Sequence, residues 1–221
     1  MLTRFYSIML LTFSNIVFAN FVVSPTQVET SVKTKVVSYT IENRTDVRAA
    51  YDIQVFERQL LPSGEEVLLD TKDLRAFPSK VIVEAGKKKR IKVMYLGKRD
   101  ISSEKPYRVN FIQDDKDVSQ EQSNNLNVRF EFFTSLYIQP KNISSKLETE
   151  VVKKNGQWLL YLQNTGTKHH ILNDWKLALG GSDSNTVSMP AVNVLANTHV
   201  YLPINKKLES GALNSISIID K

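Results

Sequence analysis

The three histidines are the residues of this sequence best suited to acid–base or metal chemistry. His169 and His170 are adjacent and follow an Asn-Thr-Gly motif, and His199 lies further along the chain. A serine–histidine–carboxylate triad of the nucleophile-elbow type needs a Gly-x-Ser-x-Gly motif, and the sequence has none. A metal site needs several converging ligands, and no carboxylate spacing accompanies these histidines. We therefore expect the histidines on strand or turn surfaces, with no catalytic residue and no metal ligand among them.

Other residue types that carry chemistry are absent or incomplete. The chain has no cysteine, which excludes disulfides, thiolate zinc sites and cysteine nucleophiles. Asp114, Asp115 and Asp117 are spaced like the start of a calcium loop, but the glycine and the closing glutamate of such a loop are missing. No nucleotide-binding glycine motif occurs. The sequence thus predicts a protein that is not an enzyme and has no cofactor.

The net charge favours acidic partners only weakly. The chain has 29 Lys and Arg against 23 Asp and Glu, a formal charge of +6, which is too small to indicate nucleic acid as a partner. Four consecutive cations at residues 87–90 either attract an acidic partner or lipid head groups, or form a charged turn and sheet edge that discourages wrong strand pairing. We expect the second.

The first residues have the features of an export signal. Arg4 precedes a mostly apolar stretch at residues 5–18, and Val17 and Ala19 place small residues where a signal peptidase cleaves. The alternative is a membrane anchor, but polar residues interrupt this stretch, and it is shorter than the roughly 20 residues of a bilayer span. We expect residues 1–19 to be a signal peptide and the mature protein to have no stable membrane insertion.

Alternation with a period of two dominates the rest of the chain and predicts half-buried strands. In the first half the alternating segments are residues 37–41, 51–55, 91–95 and 107–112, with turn motifs at 43–46, 62–64 and 85–86. In the second half the candidate strands are residues 147–152, 158–162, 171–179, 199–204 and 213–219, with turn motifs at 155–156, 164–166 and 180–182. Many short strands at this spacing predict β-sandwiches.

A polar segment and a long strand candidate lie between these halves. Residues 113–125 contain one apolar residue and predict a long loop. Residues 126–138 then alternate apolar and polar positions over an unusual length and end at Pro140, which cannot donate to a sheet. We expect two β-sandwiches of about 120 and 80 residues, joined near Pro140 and separated by a cleft.

The order of these features resembles the periplasmic chaperones of the chaperone-usher pilus pathway over essentially the whole mature chain. The matching blocks are residues 21–28, 37–45, 77–86, 89–95, 104–111, 126–140, 158–166 and 194–203. The resemblance implies an all-β fold of two immunoglobulin-like β-sandwich domains with an inter-domain cleft, at residues 20–139 and 140–221. It also implies a chaperone in the periplasm that binds, caps and stabilises pilin subunits and delivers them to an outer-membrane usher.

The resemblance also implies which strand binds the subunit. In these chaperones a long edge strand completes the unfinished sandwich of a pilin subunit by donor-strand complementation. The matching positions are Leu126, Val128, Phe130 and Phe132. The alternative for these residues is an ordinary half-buried strand whose apolar face lies in the chain's own core.

This sequence departs from the family pattern at the two positions that bind the terminal carboxylate of the subunit. Family members hold the terminal carboxylate of the subunit with two basic residues, and the resemblance places Gln27 and Ser135 at those positions. Both donate only neutral, weaker hydrogen bonds. Arg108 and Arg129 are therefore candidate substitute anchors in a divergent member, similar to alternative or archaic chaperones. The competing function is an exported all-β fimbrial subunit or adhesin, that is, a binding module.

Overall fold

The structure of the chain is a computed structural model that describes residues 21–114, 130–180, 182–206 and 216–220. The predicted signal peptide and the predicted loop from residue 115 onwards lie outside these ranges. Within these ranges every regular secondary-structure element is a β-strand. No helix in the described part of the chain is long and apolar enough to cross a membrane.

Eighteen strands follow one another along the described chain. The first ten are β1 (Phe21–Ser24), β2 (Gln27–Ser31), β3 (Val36–Asn43), β4 (Ala49–Leu60), β5 (Glu66–Asp70), β6 (Leu74–Phe77), β7 (Lys80–Val83), β8 (Lys88–Tyr95), β9 (Lys105–Asp114) and β10 (Glu131–Gln139). The others are β11 (Leu147–Lys154), β12 (Gln157–Asn164), β13 (His170–Leu172), β14 (Lys176–Leu179), β15 (Ser182–Ser188), β16 (Val192–Val194), β17 (Thr198–Pro203) and β18 (Ile216–Ile219).

The N-terminal domain, β1 to β10, is a sandwich of two sheets. One sheet has the order β1-β3-β8-β6, and the other has the order β2-β10-β9-β4-β5 with β7 also paired to β4. Apolar side chains alternate inward along each strand, and the buried rings of Tyr39, Tyr51, Tyr107 and Phe111 fill the space between the sheets. The second sheet therefore has one face on the core and one face turned outward.

The basic run at residues 87–90 lies where β8 is paired on one side. Lys88 begins β8 and pairs with Glu42 of β3, whereas β6 pairs with β8 only over Lys92–Tyr95, so within the described chain this run has a strand on one side only. The Lys88 ammonium lies 3.1 Å from a Glu42 carboxylate oxygen.

The C-terminal domain, β11 to β18, has its own core. Its sheets have the orders β11-β12-β17, β13-β16 and β15-β14-β18. Leu160, Leu162, Trp175, Leu177 and Leu202 are buried together between them. The turn at residues 155–156 is a two-residue hairpin in which Asn155 and Gly156 both have positive φ, as its Asn-Gly sequence predicts.

Three sequence predictions of element bounds need correction. The predicted strand at 171–179 is two strands, because Asp174 has a φ of 52° and breaks the extended backbone between β13 and β14. The predicted loop begins too early, since Gln113 and Asp114 continue β9 beside β4. The opening block at 21–28 is also two strands, β1 in one sheet and β2 in the other.

The two domains contact each other through the turn between β4 and β5. The Tyr201 N–H of β17 donates to the Pro62 carbonyl of that turn over 2.8 Å. Leu60, at the end of β4, packs against the core of the C-terminal domain. The C-terminal domain therefore lies against the β4–β5 end of the β10-β9-β4-β5 sheet.

Candidate functional site

The most unusual strand of the N-terminal domain is β10, because its two edges are paired over different lengths. One edge pairs with β9 along nearly the whole strand, from Glu131 to Ile138. The other edge pairs in parallel with β2, but only over Ser135–Gln139. Within the described part of the chain, the first half of β10 therefore has a strand on one side only.

Backbone hydrogen bonds show which groups face that side. The Phe130 carbonyl accepts from the Gln113 N–H on the β9 side over 3.0 Å. The Ser135 N–H donates to the Thr26 carbonyl on the opposite side over 2.9 Å. Because this direction alternates along a strand, Phe133 directs its N–H and C=O away from β9. Backbone groups in that position can pair with an added strand.

Two of the predicted donor residues lie beside this segment, and two lie outside the described residues. Phe130 and Phe132 are half-buried and pack against the core of the N-terminal domain, and the Phe130 ring lies edge-on to Phe21 at 5.7 Å between centroids. Leu126 and Val128 are not in the described ranges. On the other face of β10, Phe133 is 53% exposed.

Three of the four candidate anchors are close together on the outward sheet face. Ser135 of β10 pairs in register with Gln27 of β2, and these are the two residues that the resemblance places at the anchor positions. The Arg108 guanidinium of β9 donates to the Ser135 hydroxyl over 2.5 Å and makes a two-pronged hydrogen bond with Glu66, at 2.7 Å for each prong. Arg129 lies outside the described residues.

A second arginine in this cluster was not predicted from the sequence. Arg58 of β4 is only 6% exposed, and its Nε contacts Glu66 Oε2. Its Nη1 donates to the Tyr137 hydroxyl over 3.0 Å, and the same hydroxyl accepts from the Asn193 amide of the C-terminal domain over 2.7 Å. The side chains of Arg58, Arg108, Glu66, Ser135 and Tyr137 form what we call the arginine cluster.

The arginine cluster carries an excess positive charge. Burial raises the pKa of the Glu66 carboxyl, but the hydrogen bonds and charges of Arg108 and Arg58 outweigh burial and hold this pKa below its ordinary value of 4.5. The hydrogen bonds to Glu66 likewise raise the pKa of Arg108. Two guanidinium groups share one carboxylate, so the cluster keeps a charge of about +1 to attract an anion.

His169 is not on a surface, contrary to the expectation for the histidines. It is 4% exposed and lies at the junction of the two domains, with its ring stacked on Tyr137 at 3.9 Å between centroids. Its Nδ1 lies 2.7 Å from Glu104 Oε1. Among the described residues, no group of three or more His, Asp and Glu side chains could hold a metal ion.

The residues missed by the sequence analysis have little local signal. Arg58, Glu66 and Tyr137 belong to alternating strands in which each reads as an ordinary polar or aromatic position. They meet because β4, β5, β9 and β10 are neighbours in one sheet. An arginine at an outward position of a long strand indicates a binding site only when the strands beside it are known.

Comparison with known proteins gives a fold. No protein-family model matches the sequence, and no curated protein matches it. The chain aligns with a chain of the CsuC–CsuE chaperone–tip adhesion subunit pre-assembly complex from the archaic chaperone-usher Csu pili of Acinetobacter baumannii. The TM-score is 0.70 and the identity 17%, over 91% of this chain and 98% of that chain.

Two further solved structures give the same result. The CupB2 chaperone of Pseudomonas aeruginosa aligns with a TM-score of 0.61 and 13% identity, over 90% of this chain and 98% of that one. The Salmonella enterica SafA pilin complex with the SafB chaperone aligns with a TM-score of 0.60 and 13% identity, over 85% of both chains. The prediction of two immunoglobulin-like β-sandwich domains is confirmed, and the resemblance to pilus chaperones is confirmed for the fold.

Proposed function

We propose that this protein is a periplasmic chaperone that binds, caps and stabilises pilin subunits by donor-strand complementation and delivers them to an outer-membrane usher. It is not an enzyme in this proposal, and its partners are proteins. The fold supports this function, because the solved structures that share it include chaperones in complex with a pilin or a tip adhesion subunit. We also propose that the boundary between the two domains lies between Gln139 and Pro140.

The observation that carries the proposal is the half-paired strand β10. A pilin subunit that lacks one strand of its sandwich has a hydrophobic groove and unpaired backbone groups. The open side of β10 around Phe133 supplies backbone donors and acceptors. In this proposal the groove-filling contacts come from Leu126 and Val128 and from the exposed parts of Phe130 and Phe132, whose other parts pack against the N-terminal core.

The arginine cluster provides an anchor for the subunit in the same proposal. Arg108 lies next to the Ser135 and Gln27 pair, so it reaches the position at which the resemblance implies a carboxylate. The net positive charge of the cluster favours a carboxylate over a neutral group. We assign Arg108 as the main anchor, with Ser135 and Gln27 as neutral donors beside it.

Co-expression with a fimbrial subunit tests the proposed strand addition. The mature chain is produced with candidate subunits encoded by neighbouring genes, and the yield of soluble one-to-one complex is measured by size-exclusion chromatography. The double variant Val128→Asp, Phe130→Asp is expected to lose the complex, because charges in an apolar groove are costly. Ile82→Asp, at an exposed apolar position of β7, serves as the matched control and is expected to keep the complex.

A proline variant separates the backbone contribution from the side-chain contribution. Phe133→Pro removes an N–H on the open side of β10 and leaves the hydrogen bonds to β9 intact, whereas Phe133→Ala removes only the ring. We expect Phe133→Pro to reduce complex yield at least tenfold and Phe133→Ala to change it much less. Circular dichroism and thermal melting show whether each variant is folded. Equal yields for the folded proline and alanine variants would contradict strand addition at this edge.

A further inference from the structure

His169 has two carboxylates facing its two ring nitrogens. Nδ1 lies 2.7 Å from Glu104 Oε1, and Nε2 lies 3.6 Å from Glu29 Oε1. A neutral imidazole has one N–H and one lone pair, so one of its nitrogens would direct a lone pair at a carboxylate oxygen. Only the doubly protonated ring presents an N–H to both carboxylates.

The charges around His169 balance only when its ring is protonated. Glu29 of β2 and Glu104, just before β9, contribute two negative charges from the N-terminal domain. Lys168, whose ammonium lies 2.7 Å from Glu29 Oε2, contributes one positive charge from the C-terminal domain. Tyr137 of β10 is stacked on the ring from the N-terminal domain. A protonated His169 makes this group of four charged side chains neutral, and a neutral His169 leaves it with a charge of −1.

The two carboxylates have further hydrogen-bond donors beside them. Glu104 accepts from the His169 backbone N–H at 3.2 Å and from the Gln139 amide at 2.8 Å. Burial raises the pKa of Glu29, but hydrogen bonds from Lys168 and Gln139 and the charges of Lys168 and His169 outweigh burial and hold it below 4.5. Glu29 therefore keeps its negative charge throughout the pH range in which histidines titrate.

We propose that His169 is a pH-dependent latch between the two domains, closed by its contacts with Glu29 and Glu104 when the ring is protonated and loosened when the ring is neutral. Both carboxylates belong to the N-terminal domain and the histidine to the C-terminal domain, so the charge of one ring affects how tightly the domains are joined. The latch stabilises the domain contact while the ring carries its second proton, and this contribution is lost as the pH rises and that proton leaves.

The latch is continuous with the arginine cluster. Tyr137 stacks on His169 with its ring and accepts hydrogen bonds from Arg58 and Asn193 with its hydroxyl. When the latch loosens, the Tyr137 ring loses part of its packing against His169. The position of the Tyr137 hydroxyl, which accepts a hydrogen bond from Arg58, therefore becomes less fixed. The proposal concerns the contact between the domains and does not depend on which molecule the arginine cluster binds.

Amide hydrogen exchange of the mature chain tests the latch directly. The Glu104 N–H donates to the Thr167 carbonyl across the domain junction over 3.0 Å, so its exchange reports opening of that junction. We expect its protection factor, corrected for the intrinsic rate, to fall about tenfold between pH 5.5 and pH 8.5. The Asn43 N–H, which donates to the Lys87 carbonyl inside the N-terminal domain, is the matched control and is expected to change little.

Variants separate the latch from a general effect of pH. His169→Gln and Glu29→Gln are both expected to abolish the pH dependence at the Glu104 amide, and His199→Gln is expected to retain it. Glu29→Gln serves where His169→Gln fails to fold, because Glu29 is partly exposed. Unchanged protection of Glu104 in the wild-type chain between the two pH values overturns the proposal, as does a pH dependence that persists in Glu29→Gln.

Discussion

Asn43 and Asn164 occupy equivalent places in the two domains, and their side chains make nearly the same hydrogen bonds. Each amide group donates to the carbonyl four residues later and to a distant strand, at Val47 and Val83 in one domain and at Lys168 and Val194 in the other. Each side-chain oxygen accepts from the backbone N–H two residues later. Both residues are fully buried.

The domains differ in what their outer surfaces offer. The outward face of the N-terminal domain carries the arginine cluster beside the half-paired strand β10. The outer face of the β11-β12-β17 sheet instead carries the contacting rings of Tyr161, His199 and Tyr201. Features that recur in both domains build the sandwich, whereas features that occur in one domain are candidates for function. Substitutions at the two kinds of position should therefore have different consequences.

The largest expected loss of stability is at the shared asparagines. Asn43→Ala and Asn164→Ala each leave several buried backbone groups without a partner, so we expect each to lower the free energy of unfolding by about 2–4 kcal/mol. Urea unfolding of the mature chain measures this, with the exposed Asn205→Ala as the control. If either substitution lowers the free energy of unfolding by less than about 1 kcal/mol, the asparagine hydrogen bonds do not stabilise the two domains equally.

Substitution of Arg58 is expected to affect mainly stability, and substitution of Arg108 mainly subunit binding. Arg58→Met removes the more buried partner of Glu66, and we expect it to lower the free energy of unfolding by about 1–2 kcal/mol, because Arg108 still pairs with the carboxylate. Arg108→Met should cost less stability but reduce recovery of the subunit complex. Urea unfolding and co-purification measure the two effects. A complex recovered equally well with Arg108→Met would remove Arg108 from the proposed anchor.

Substitution of Glu66 is expected to have a smaller effect on stability, and this effect should depend on pH. The folded protein holds the pKa of Glu66 below 4.5, so its contribution to stability is present above that pH and is lost as the pH falls further. We expect Glu66→Gln to be less stable than the wild type at pH 7 by about 1 kcal/mol or less, since solvent screens this half-exposed group. The difference should shrink toward pH 3, and thermal melting across this range measures it.

The smallest expected effect is on the outer face of the C-terminal domain. The Lys154 ammonium lies 3.5 Å from the centre of the Tyr201 ring, and the lysine is exposed. We expect Lys154→Ala to cost about 0.5 kcal/mol and to leave subunit recovery unchanged. Denaturant unfolding and co-purification test both outcomes, and a lost complex would show that the C-terminal domain also contributes to binding.

Much of the fold follows from local sequence. Period-two alternation located β3, β4, β8, β9, β11, β12 and β17, and the Asn-Gly hairpin follows from backbone preference alone. The break at Asp174 was missed because apolar residues continue on both sides of it. The crossing from β1 to β2 between the sheets was also missed, since pairing partners are not encoded in alternation.

The candidate site was less predictable than the fold. Gln27 and Ser135 came from comparison with a family pattern, and Arg108 was a candidate substitute because neither of them is basic. In the structure Ser135 pairs with Gln27 and accepts a hydrogen bond from Arg108. Arg58 was not predicted because it meets Glu66 only when β4 and β5 pair as a hairpin. His169 was not predicted because its partner Glu104 lies in the other domain, 65 residues earlier in the sequence. A buried ion pair is a property of packed elements, and sequence spacing gives no sign of it.

The turn between β4 and β5 has a consequence for the order in which the protein forms. Pro62 and Leu60 are synthesised well before Tyr201 and the rest of the C-terminal core that they contact. During that interval the N-terminal sandwich has an apolar tip without its final neighbour. Completion of the second domain covers this tip late, so the last strands of the chain determine when the first domain reaches its finished surface.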